Sequence, residues 1–277
     1  MGLVVAVANQ KGGVGKTTTA VNLTASLVAA ERKTLLIDAD PQGNATSGSG
    51  LDRSTVDGSL YDAMMGDRTL ESVVMSGINI PGFDVVPATQ DLVGAEIELV
   101  NRSGREYAMR EALAPVRDKY DFVLIDCPPS LGLLTLNMLT AADAVLIPIQ
   151  CEYYALEGLS QLLNTIRLVQ QNFNPALAIR GVVLTMYDAR LNLSRQVATE
   201  AREYFGGKVF ETVVPRNVRI AEAPSFGKPI LMYDVQSLGA KSYLALAQEF
   251  MRVCDDASAQ ETKPTHPPAP IVQESHG

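Results

Sequence analysis

The sequence predicts an α/β fold, in which a doubly wound, mostly parallel sheet is flanked by helices. Short apolar runs alternate with longer amphipathic stretches along the chain, the pattern of successive strand–helix–strand units. Several of the runs are apolar on both faces, as buried parallel strands are. The first run leads through a glycine-rich loop directly into a helical stretch, which is the layout of a phosphate-binding loop. With 277 residues, 47% of them hydrophobic, one large domain can bury a sizeable core.

Strands and helices alternate in a regular order. Their predicted positions place polar side chains at the carboxyl ends of the strands, where open parallel sheets bind ligands. The strand runs are 3–9, 34–39, 83–88, 121–127, 144–149, 179–187 and 208–215. Helical spacing of apolar residues is found over 16–30, 105–116, 131–141, 155–171, 193–204 and 239–253.

The domain is predicted to span 1–254, followed by a Pro-rich tail over 255–277. The tail, which includes QETKPTHPPAPIVQESHG, has too few apolar residues to fold alone and is predicted to be disordered. No run of about 18 apolar residues exists, and the opening MGLVVAVA lacks the basic flank of a signal peptide. We therefore expect a cytoplasmic protein.

Histidine and cysteine usage restricts the chemistry. The only histidines, His266 and His276, lie in the predicted tail, and the three cysteines show no CxxC spacing. This pattern excludes serine–histidine hydrolases and argues against zinc enzymes and a disulfide framework.

The loop NQKGGVGKTTT, residues 9–19, carries the first functional prediction. Gly12, Gly13 and Gly15 lack a Cβ, so the backbone can turn its N–H groups toward an anion at the helix N-terminus. Lys16 is placed to reach the β- and γ-phosphates of a nucleotide, and the Thr17 hydroxyl is placed to ligate Mg²⁺.

The loop departs from the common patterns. Gln10 occupies the first glycine position of GxxxxGK[ST], and Thr18 occupies the third glycine position of a dinucleotide loop GxGxxG. Lys11 adds a second lysine at the mouth of the loop. A variant phosphate loop therefore fits better than a chance glycine-rich helix start.

Three carboxylates follow strand runs. Asp38 and Asp40 lie in LLIDADPQGN, where its apolar run ends, and Asp126 ends FVLID. Asp38 and Asp126 are candidates for the metal and its water shell, whereas Asp40 is a candidate to orient or deprotonate an attacking water. A simpler interpretation, that the first pair only caps the turn over 41–44, stays open on the residues alone.

Together the motifs KGGVGKTT, DADPQGN, LIDCPPS and VVPRNVRIAEAPSFGKPI resemble the ParA (Soj) partition ATPases of the deviant-Walker-A group. The resemblance covers residues 3 to about 251. It implies that Lys11 reaches the phosphates of a partner subunit's ATP, that Asp40 is the hydrolytic carboxylate, and that Pro215 and Asn217 contact adenine. It also implies that catalysis involves Lys16 and that the nucleotide contacts a continuous loop segment. That segment comprises Lys11, Gly12, Gly13, Val14, Gly15, Lys16, Thr17 and Thr18.

The resemblance also implies cofactors and partners. The cofactors are ATP and Mg²⁺. The partners are non-specific double-stranded DNA, a ParB/Spo0J-type partition protein and a second copy of the chain in an ATP-dependent homodimer. The resemblance also implies that this chain is associated with the nucleoid. The chain carries a net charge of −8, but residues 180–241 hold 9 Lys+Arg against 6 Asp+Glu. Within that segment Arg190, Arg219 and Lys228 are the DNA-binding candidates, by phosphate contact rather than base reading.

Three alternatives differ in what they require. A MinD-like membrane-cycling ATPase needs a basic amphipathic helix at its end, whereas here Asp255, Asp256 and a Pro-rich stretch follow. A nitrogenase-like reductase needs cysteines at comparable strand ends to share a cluster, and only Cys127 is so placed. A small-molecule P-loop enzyme needs converging polar groups for a second substrate, and no such cluster is evident.

Overall fold

A seven-stranded parallel sheet forms the centre of the part of the chain that our computed structural model describes, residues 2–152 and 159–261. The strand order is β3-β2-β4-β1-β5-β6-β7, and every neighbouring pair is parallel. The strands are β1 (Leu3–Val7), β2 (Thr34–Asp38), β3 (Phe83–Val86), β4 (Phe122–Asp126), β5 (Ala144–Gln150), β6 (Ala178–Tyr187) and β7 (Val209–Pro215). The predicted fold class is confirmed.

Helices cover both faces of the sheet. They are α1 (Lys16–Ala29), α2 (Asn44–Gly48), α3 (Leu60–Met65), α4 (Leu70–Val73), α5 (Leu92–Glu98), α6 (Ala108–Leu113), α7 (Leu133–Ala141), α8 (Leu159–Asn172), α9 (Asn192–Phe205), α10 (Val218–Glu222), α11 (Ile230–Tyr233) and α12 (Leu238–Glu261). The stretch predicted as one helix over 105–116 begins with a 3-10 turn, Arg105–Tyr107, before α6. Residues 155–158, predicted to start α8, lie outside the described residues.

The last helix is longer than the sequence pattern predicted. Cys254 is the last buried residue among those whose burial is described, but α12 continues to Glu261, so the domain end predicted at 254 falls inside a helix. Apolar periodicity marks only the packed part of a helix. The stretch 255–261 has no such periodicity, but it also contains no Gly or Pro that would end the helix. The predicted disorder of 262–277 concerns residues outside those described.

Two apolar cores lie on opposite faces of the sheet, because side chains alternate along each strand. On β1, Val4 and Ala6 face the core that α3, α5, α6, α7, α8 and α9 complete. Val5 and Val7 face the other core, where α1 and α12 pack. Burial on both faces explains why the strands read as continuous apolar runs.

The sheet brings the predicted functional residues together at the carboxyl ends of its central strands. Val7 and Asp38 are both register partners of Asp126, so the phosphate loop and two carboxylates leave neighbouring strands at the same level. Strand β1 lies where the chain's connections diverge toward opposite sheet edges, the position at which open α/β sheets bind ligands. None of the helices in the described ranges is both long and apolar enough to cross a bilayer.

The contact between β6 and β7 gives a test of the packing. A Cβ on Gly181 would lie 2.3 Å from the ring of Phe210, which is 3% exposed and cannot move aside freely. We expect Gly181→Ala to lower the free energy of unfolding by about 1–3 kcal/mol through overpacking. Gly207→Ala is the matched control, since nothing lies within 4 Å of its Cβ position. Equal urea midpoints for the two variants would contradict this packing.

Candidate functional site

The loop between β1 and α1 is shaped by two glycines in the left-handed region. Gly13 has φ 74° and Gly15, the N-cap of α1, has φ 86°, values that favour glycine. Strand β6 holds the loop in place, because the Thr185 hydroxyl donates a hydrogen bond of 2.8 Å to the Val14 carbonyl. Nothing lies within 4 Å of the Cβ position of Gly12 or Gly13, so this backbone faces open space.

The two lysines of the loop occupy different environments. Lys16 is 6% exposed, and its ammonium donates a hydrogen bond of 3.1 Å to the Lys11 carbonyl, so it folds back over the loop. Burial lowers the pKa of Lys16 below its usual value, while Asp126 and Asp40 oppose the shift. The Lys11 ammonium, half-buried, has no hydrogen-bond or ion-pair partner among residues 2–152 and 159–261.

Asp38 is fully buried and held by the protein itself. Thr46 donates two hydrogen bonds to Oδ2, from its backbone N–H and from its hydroxyl, both 2.7 Å. The Asp40 N–H donates to Oδ1 at 3.2 Å. Burial raises the pKa of Asp38 to about 6 against the effect of these hydrogen bonds. The carboxylate thus anchors α2 and the turn that contains Asp40.

Asp126 is fully buried but has no such support. Neither Oδ1 nor Oδ2 has a hydrogen-bond partner of normal geometry among the described residues. Burial, reinforced by the charge of Asp38, holds the pKa of Asp126 well above its usual range, although the nearby Thr17 hydroxyl and Lys16 counteract the rise. An unpaired buried carboxylate is costly, and a cation is the natural compensation.

The donor set fits Mg²⁺. No three His, Cys, Asp or Glu side chains gather into a metal-binding group within the described ranges, so a cage made only of protein ligands is absent there. Mg²⁺ characteristically takes one or two protein oxygens and completes its shell with phosphate and water. Asp126 and the Thr17 hydroxyl are the groups best placed to hold it, and Asp38 lies one strand away.

Asp40 lies at the lip of the site. Its side chain is 9% exposed, and Oδ1 accepts a hydrogen bond of 2.9 Å from the Gln42 N–H, an arrangement that also forms the turn after β2. The turn-capping interpretation is therefore supported, and the hydrolytic role of Asp40 stays a prediction. Its other carboxylate oxygen accepts no hydrogen bond within the described ranges.

A cleft of about 740 Å³ opens above these groups. Asp40 lines it together with residues of the loop and of α1, which are Gly12, Gly13, Gly15, Lys16, Thr17 and Thr18. Sequence reasoning missed further lining residues, namely Asn44, Ser47, Met186, Pro224 and Ser225. Asn44, Ser47, Pro224 and Ser225 belong to short helical elements without hydrophobic periodicity, whereas Met186 lies near the end of β6. The only signal for Asn44, Pro224 and Ser225 was that they lie within the DADPQGN and VVPRNVRIAEAPSFGKPI motifs.

Pro215 and Asn217 were predicted to contact adenine. Pro215 ends β7 and Asn217 lies two residues beyond it, and neither lines this cleft. The Asn217 side chain caps α10, with Oδ1 accepting from the N–H groups of Arg219 at 2.9 Å and Ile220 at 3.3 Å. Its amide NH₂ is left to donate elsewhere.

The DNA-binding candidates divide into two environments. Arg190 makes a two-pronged contact with Asp188, at 2.9 and 2.7 Å, and these hydrogen bonds lower the pKa of Asp188 to about 2. Arg219 pairs with Glu222 at 3.0 Å. Lys228 instead lines the same cleft as Lys16, on the segment after Pro224.

Known proteins share these features. The model of a family described as "AAA domain" matches residues 2–179. The chromosome partitioning protein ParA of Myxococcus xanthus is 57% identical over 252 residues, which cover 91% of this chain and 89% of that protein. The sporulation initiation inhibitor protein Soj of Bacillus subtilis is 56% identical over 249 residues, covering 90% and 98%. The chain belongs to the ParA/Soj family of chromosome-partitioning ATPases.

Solved structures agree with this family assignment. A Mycobacterium smegmatis protein named cobyrinic acid a,c-diamide synthase, with bound ATP analogue and magnesium, gives a TM-score of 0.82 at 39% identity, covering 93% of this chain and 97% of that one. The cell division ATPase MinD of Pyrococcus furiosus gives 0.73 at 27%, covering 91% and 100%. This ParA/Soj-family chain is a partitioning ATPase that uses ATP and Mg²⁺, as predicted.

The Thr46 hydroxyl provides a test of the buried network. It donates to Asp38 and accepts a hydrogen bond of 3.0 Å from the Ala88 N–H. Thr46→Val keeps the shape but leaves that N–H without an acceptor, and we expect a loss of about 2–4 kcal/mol in the free energy of unfolding. Thr46→Ser, which retains the hydroxyl, should stay within about 1 kcal/mol of the wild type. Chemical denaturation distinguishes the two, and similar losses in both variants would contradict the network.

Proposed function

We propose that this ATPase is a nucleotide-driven dimerisation switch for DNA segregation. With Mg·ATP two subunits pair around two nucleotides, and the dimer binds double-stranded DNA without sequence preference. A ParB-type partition protein then accelerates hydrolysis, the dimer separates and DNA is released.

The contrast between Lys11 and Lys16 carries this proposal. Lys16 is buried against its own loop and serves the chain's own nucleotide. The Lys11 ammonium, at the mouth of the same loop, has no hydrogen-bond or ion-pair partner in the part of the chain that the structure describes. Within one chain this extra charge is redundant, but two triphosphates brought face to face repel each other, and a lysine from each subunit offsets that repulsion.

The position of each group supports the proposed catalytic roles. Asp126 and the Thr17 hydroxyl would hold Mg²⁺, which when bound would supply positive charge beside the carboxylate and the phosphate oxygens. Asp38 fixes the turn that presents Asp40, and Asp40 orients or deprotonates the attacking water. Pro215 and the Asn217 amide, which do not line the cleft, are assigned to the adenine base by the resemblance to the partition ATPases.

DNA binding is assigned to Arg190, Arg219 and Lys228. A phosphate presents oxygens much as a carboxylate does, so the two arginines can exchange their internal partners for DNA. The internal pairs neutralise each arginine in a single subunit and weaken the attraction of one subunit for DNA. Two joined patches contacting about six phosphates gain an avidity factor of about 100 or more over one patch contacting about three.

The name of the M. smegmatis structure raises a small-molecule synthase as a second candidate. The partition relatives are closer in sequence, at 57% against 39% identity. ATP turnover that rises with DNA and a ParB-type protein, in the absence of any small substrate, supports partition. Turnover that requires a small acceptor molecule instead would overturn it.

Variants of Asp40 and Lys16 test the nucleotide cycle. We expect Asp40→Ala to bind Mg·ATP and to stay dimeric, with ATP turnover reduced about 100-fold or more because the water is no longer oriented. Lys16→Ala should stay monomeric with ATP, ADP or no nucleotide, since it loses the phosphate contact. Analytical ultracentrifugation and phosphate release measure both properties. A monomeric Asp40→Ala with ATP would show that the assignment of Asp40 is wrong.

The salt dependence of DNA binding tests the dimer switch. The slope of log affinity against log salt should be about twice as steep with ATP as without, because two patches release counterions together. With ATP, Lys11→Ala should keep the shallow salt slope of the monomer. The matched control is Lys33→Ala, which makes the same charge change at the amino end of β2, away from the site, and should behave as wild type. Arg190→Ala should lower the slope by about 1 per subunit. A steep slope that survives Lys11→Ala would contradict the proposal.

A further inference from the structure

Residues 223–229 form the linking segment between α10 and α11, and this segment lies against the nucleotide site. Ser225 and Lys228 of the linking segment line the same cleft as Lys16. Gly227 lies between them with φ 61°, in the left-handed region. A candidate for DNA binding is therefore part of the wall of the nucleotide cleft.

Polar contacts join the two helices that flank the linking segment. Arg219 of α10 pairs with Glu222 at 3.0 Å and with Asp234, the residue after α11, at 3.6 Å. The Tyr233 hydroxyl of α11 donates a hydrogen bond of 3.2 Å to Glu222. Because these contacts cross-link the stretch, a displacement of the linking segment acts on Arg219 as well as on Lys228.

Helix α1 holds the linking segment from one side. Asn22, which is 5% exposed, accepts a hydrogen bond of 2.6 Å from the N–H of Ile230, the first residue of α11. The Asn22 amide donates at 2.7 Å to the carbonyl of Thr18, which lines the cleft. The end of the linking segment is thus bonded to the helix that follows the phosphate loop.

Helix α2 holds the linking segment from the other side, through two glycines. Gly50, which follows α2, has φ 93° and packs directly on Gly227. A Cβ on Gly50 would lie 2.6 Å from the Gly227 carbonyl oxygen, and a Cβ on Gly227 would lie 2.6 Å from the Gly50 Cα. The Gly50 N–H donates at 2.9 Å to the carbonyl of Ser47, another residue that lines the cleft.

The Asn79 side chain bridges the same two backbones. Its amide nitrogen donates at 2.7 Å to the carbonyl of Ser49, the C-cap of α2, and at 3.4 Å to the carbonyl of Gly227. Asn79 has φ 62°, a conformation that asparagine adopts more readily than most residues. It does not line the cleft, so its contacts serve the joint between α2 and the linking segment.

Helix α2 also borders the nucleotide site at its other end. Thr46 holds Asp38 with two hydrogen bonds of 2.7 Å, and the turn before the helix contains Asp40. A helix of five residues is short enough to be displaced as a rigid element. A nucleotide that shifts the Asp40 end of α2 therefore shifts the end that contacts Gly227.

We propose that Asn79 is a positioning residue that transmits nucleotide binding from α2 to the linking segment and thereby sets the affinity of Lys228 and Arg219 for DNA. With the amide bridge in place, the linking segment follows α2. Without the bridge, the nucleotide still binds but Lys228 and Arg219 no longer respond to it. This inference rests on the DNA binding proposed above.

Asn79→Gly tests the bridge, because glycine keeps φ 62° without strain and removes only the side chain. Fluorescence anisotropy gives the affinity for a short random-sequence DNA duplex with a non-hydrolysable ATP analogue and Mg²⁺, and without nucleotide. We expect the gain in DNA affinity caused by the analogue to fall about three- to tenfold, the contribution of one or two hydrogen bonds. By linkage, the gain in analogue affinity caused by DNA should fall by the same factor. Analogue affinity without DNA, and dimerisation with the analogue, should match the wild type.

The chain offers matched controls. Glu31→Gly replaces another residue of the same conformation, φ 61°, in an exposed turn after α1, and should keep the wild-type gain. Gly50→Ala disrupts the contact with Gly227, whereas Gly66→Ala, at φ 88° with nothing within 4 Å of its Cβ position, introduces similar backbone strain without that contact. Both alanine variants should lower the urea midpoint, but only Gly50→Ala should lower the gain in DNA affinity.

Four outcomes overturn the inference. One is a wild-type gain in both Asn79→Gly and Gly50→Ala, and another is an equal loss in Gly66→Ala or Glu31→Gly, which would reflect strain alone. A third is a matching loss of analogue affinity without DNA in Asn79→Gly, and a fourth is loss of its dimerisation. If the wild type itself shows no gain in DNA affinity with the analogue, the proposed DNA switch has failed and the role of Asn79 fails with it.

Discussion

The unpaired carboxylate of Asp126 is the group on which the rest of the site depends. It lies at the end of a central strand, fully buried, with neither oxygen hydrogen-bonded among the described residues. Keeping such a charge in the interior requires a compensating cation. Lys16 and the Thr17 hydroxyl provide part of that compensation. We propose that Mg²⁺, arriving with ATP, supplies the rest.

The fold creates this situation by the order of its strands. Because β4 lies between β1 and β2, the phosphate loop, Asp38 and Asp126 leave adjacent parallel strands at one level. The two carboxylates nevertheless differ, since Asp38 receives three hydrogen bonds from the turn and helix that follow it. Asp38 organises the protein around it, whereas Asp126 is the carboxylate that we propose binds the metal. Through Thr46, Asp38 also connects to the segment before α5, a helix that packs on the face of the sheet lined by Val4 and Ala6.

Much of this could be predicted from the sequence where a single local pattern decides the structure. The strands follow from apolar runs, and the loop and the strand-end carboxylates follow from the Gly and Asp residues at the ends of three of these runs. The different surroundings of Asp38 and Asp126 could not be predicted, because the Thr46 hydroxyl that separates them lies on a five-residue helix without periodicity. The ion pair of Arg190 with Asp188 and the place of Lys228 on the cleft depend on side-chain packing and loop geometry that composition does not encode.

Thermal unfolding with ATP, with and without Mg²⁺, tests the central role of Asp126 most directly. For the wild type we expect Mg²⁺ to add about 2–3 kcal/mol of stabilisation to that of ATP alone when the metal is about 100-fold above its dissociation constant. Asp126→Asn removes the charge that Mg²⁺ compensates and should abolish that increment while the protein stays folded. An undiminished Mg²⁺ increment in Asp126→Asn would contradict the account.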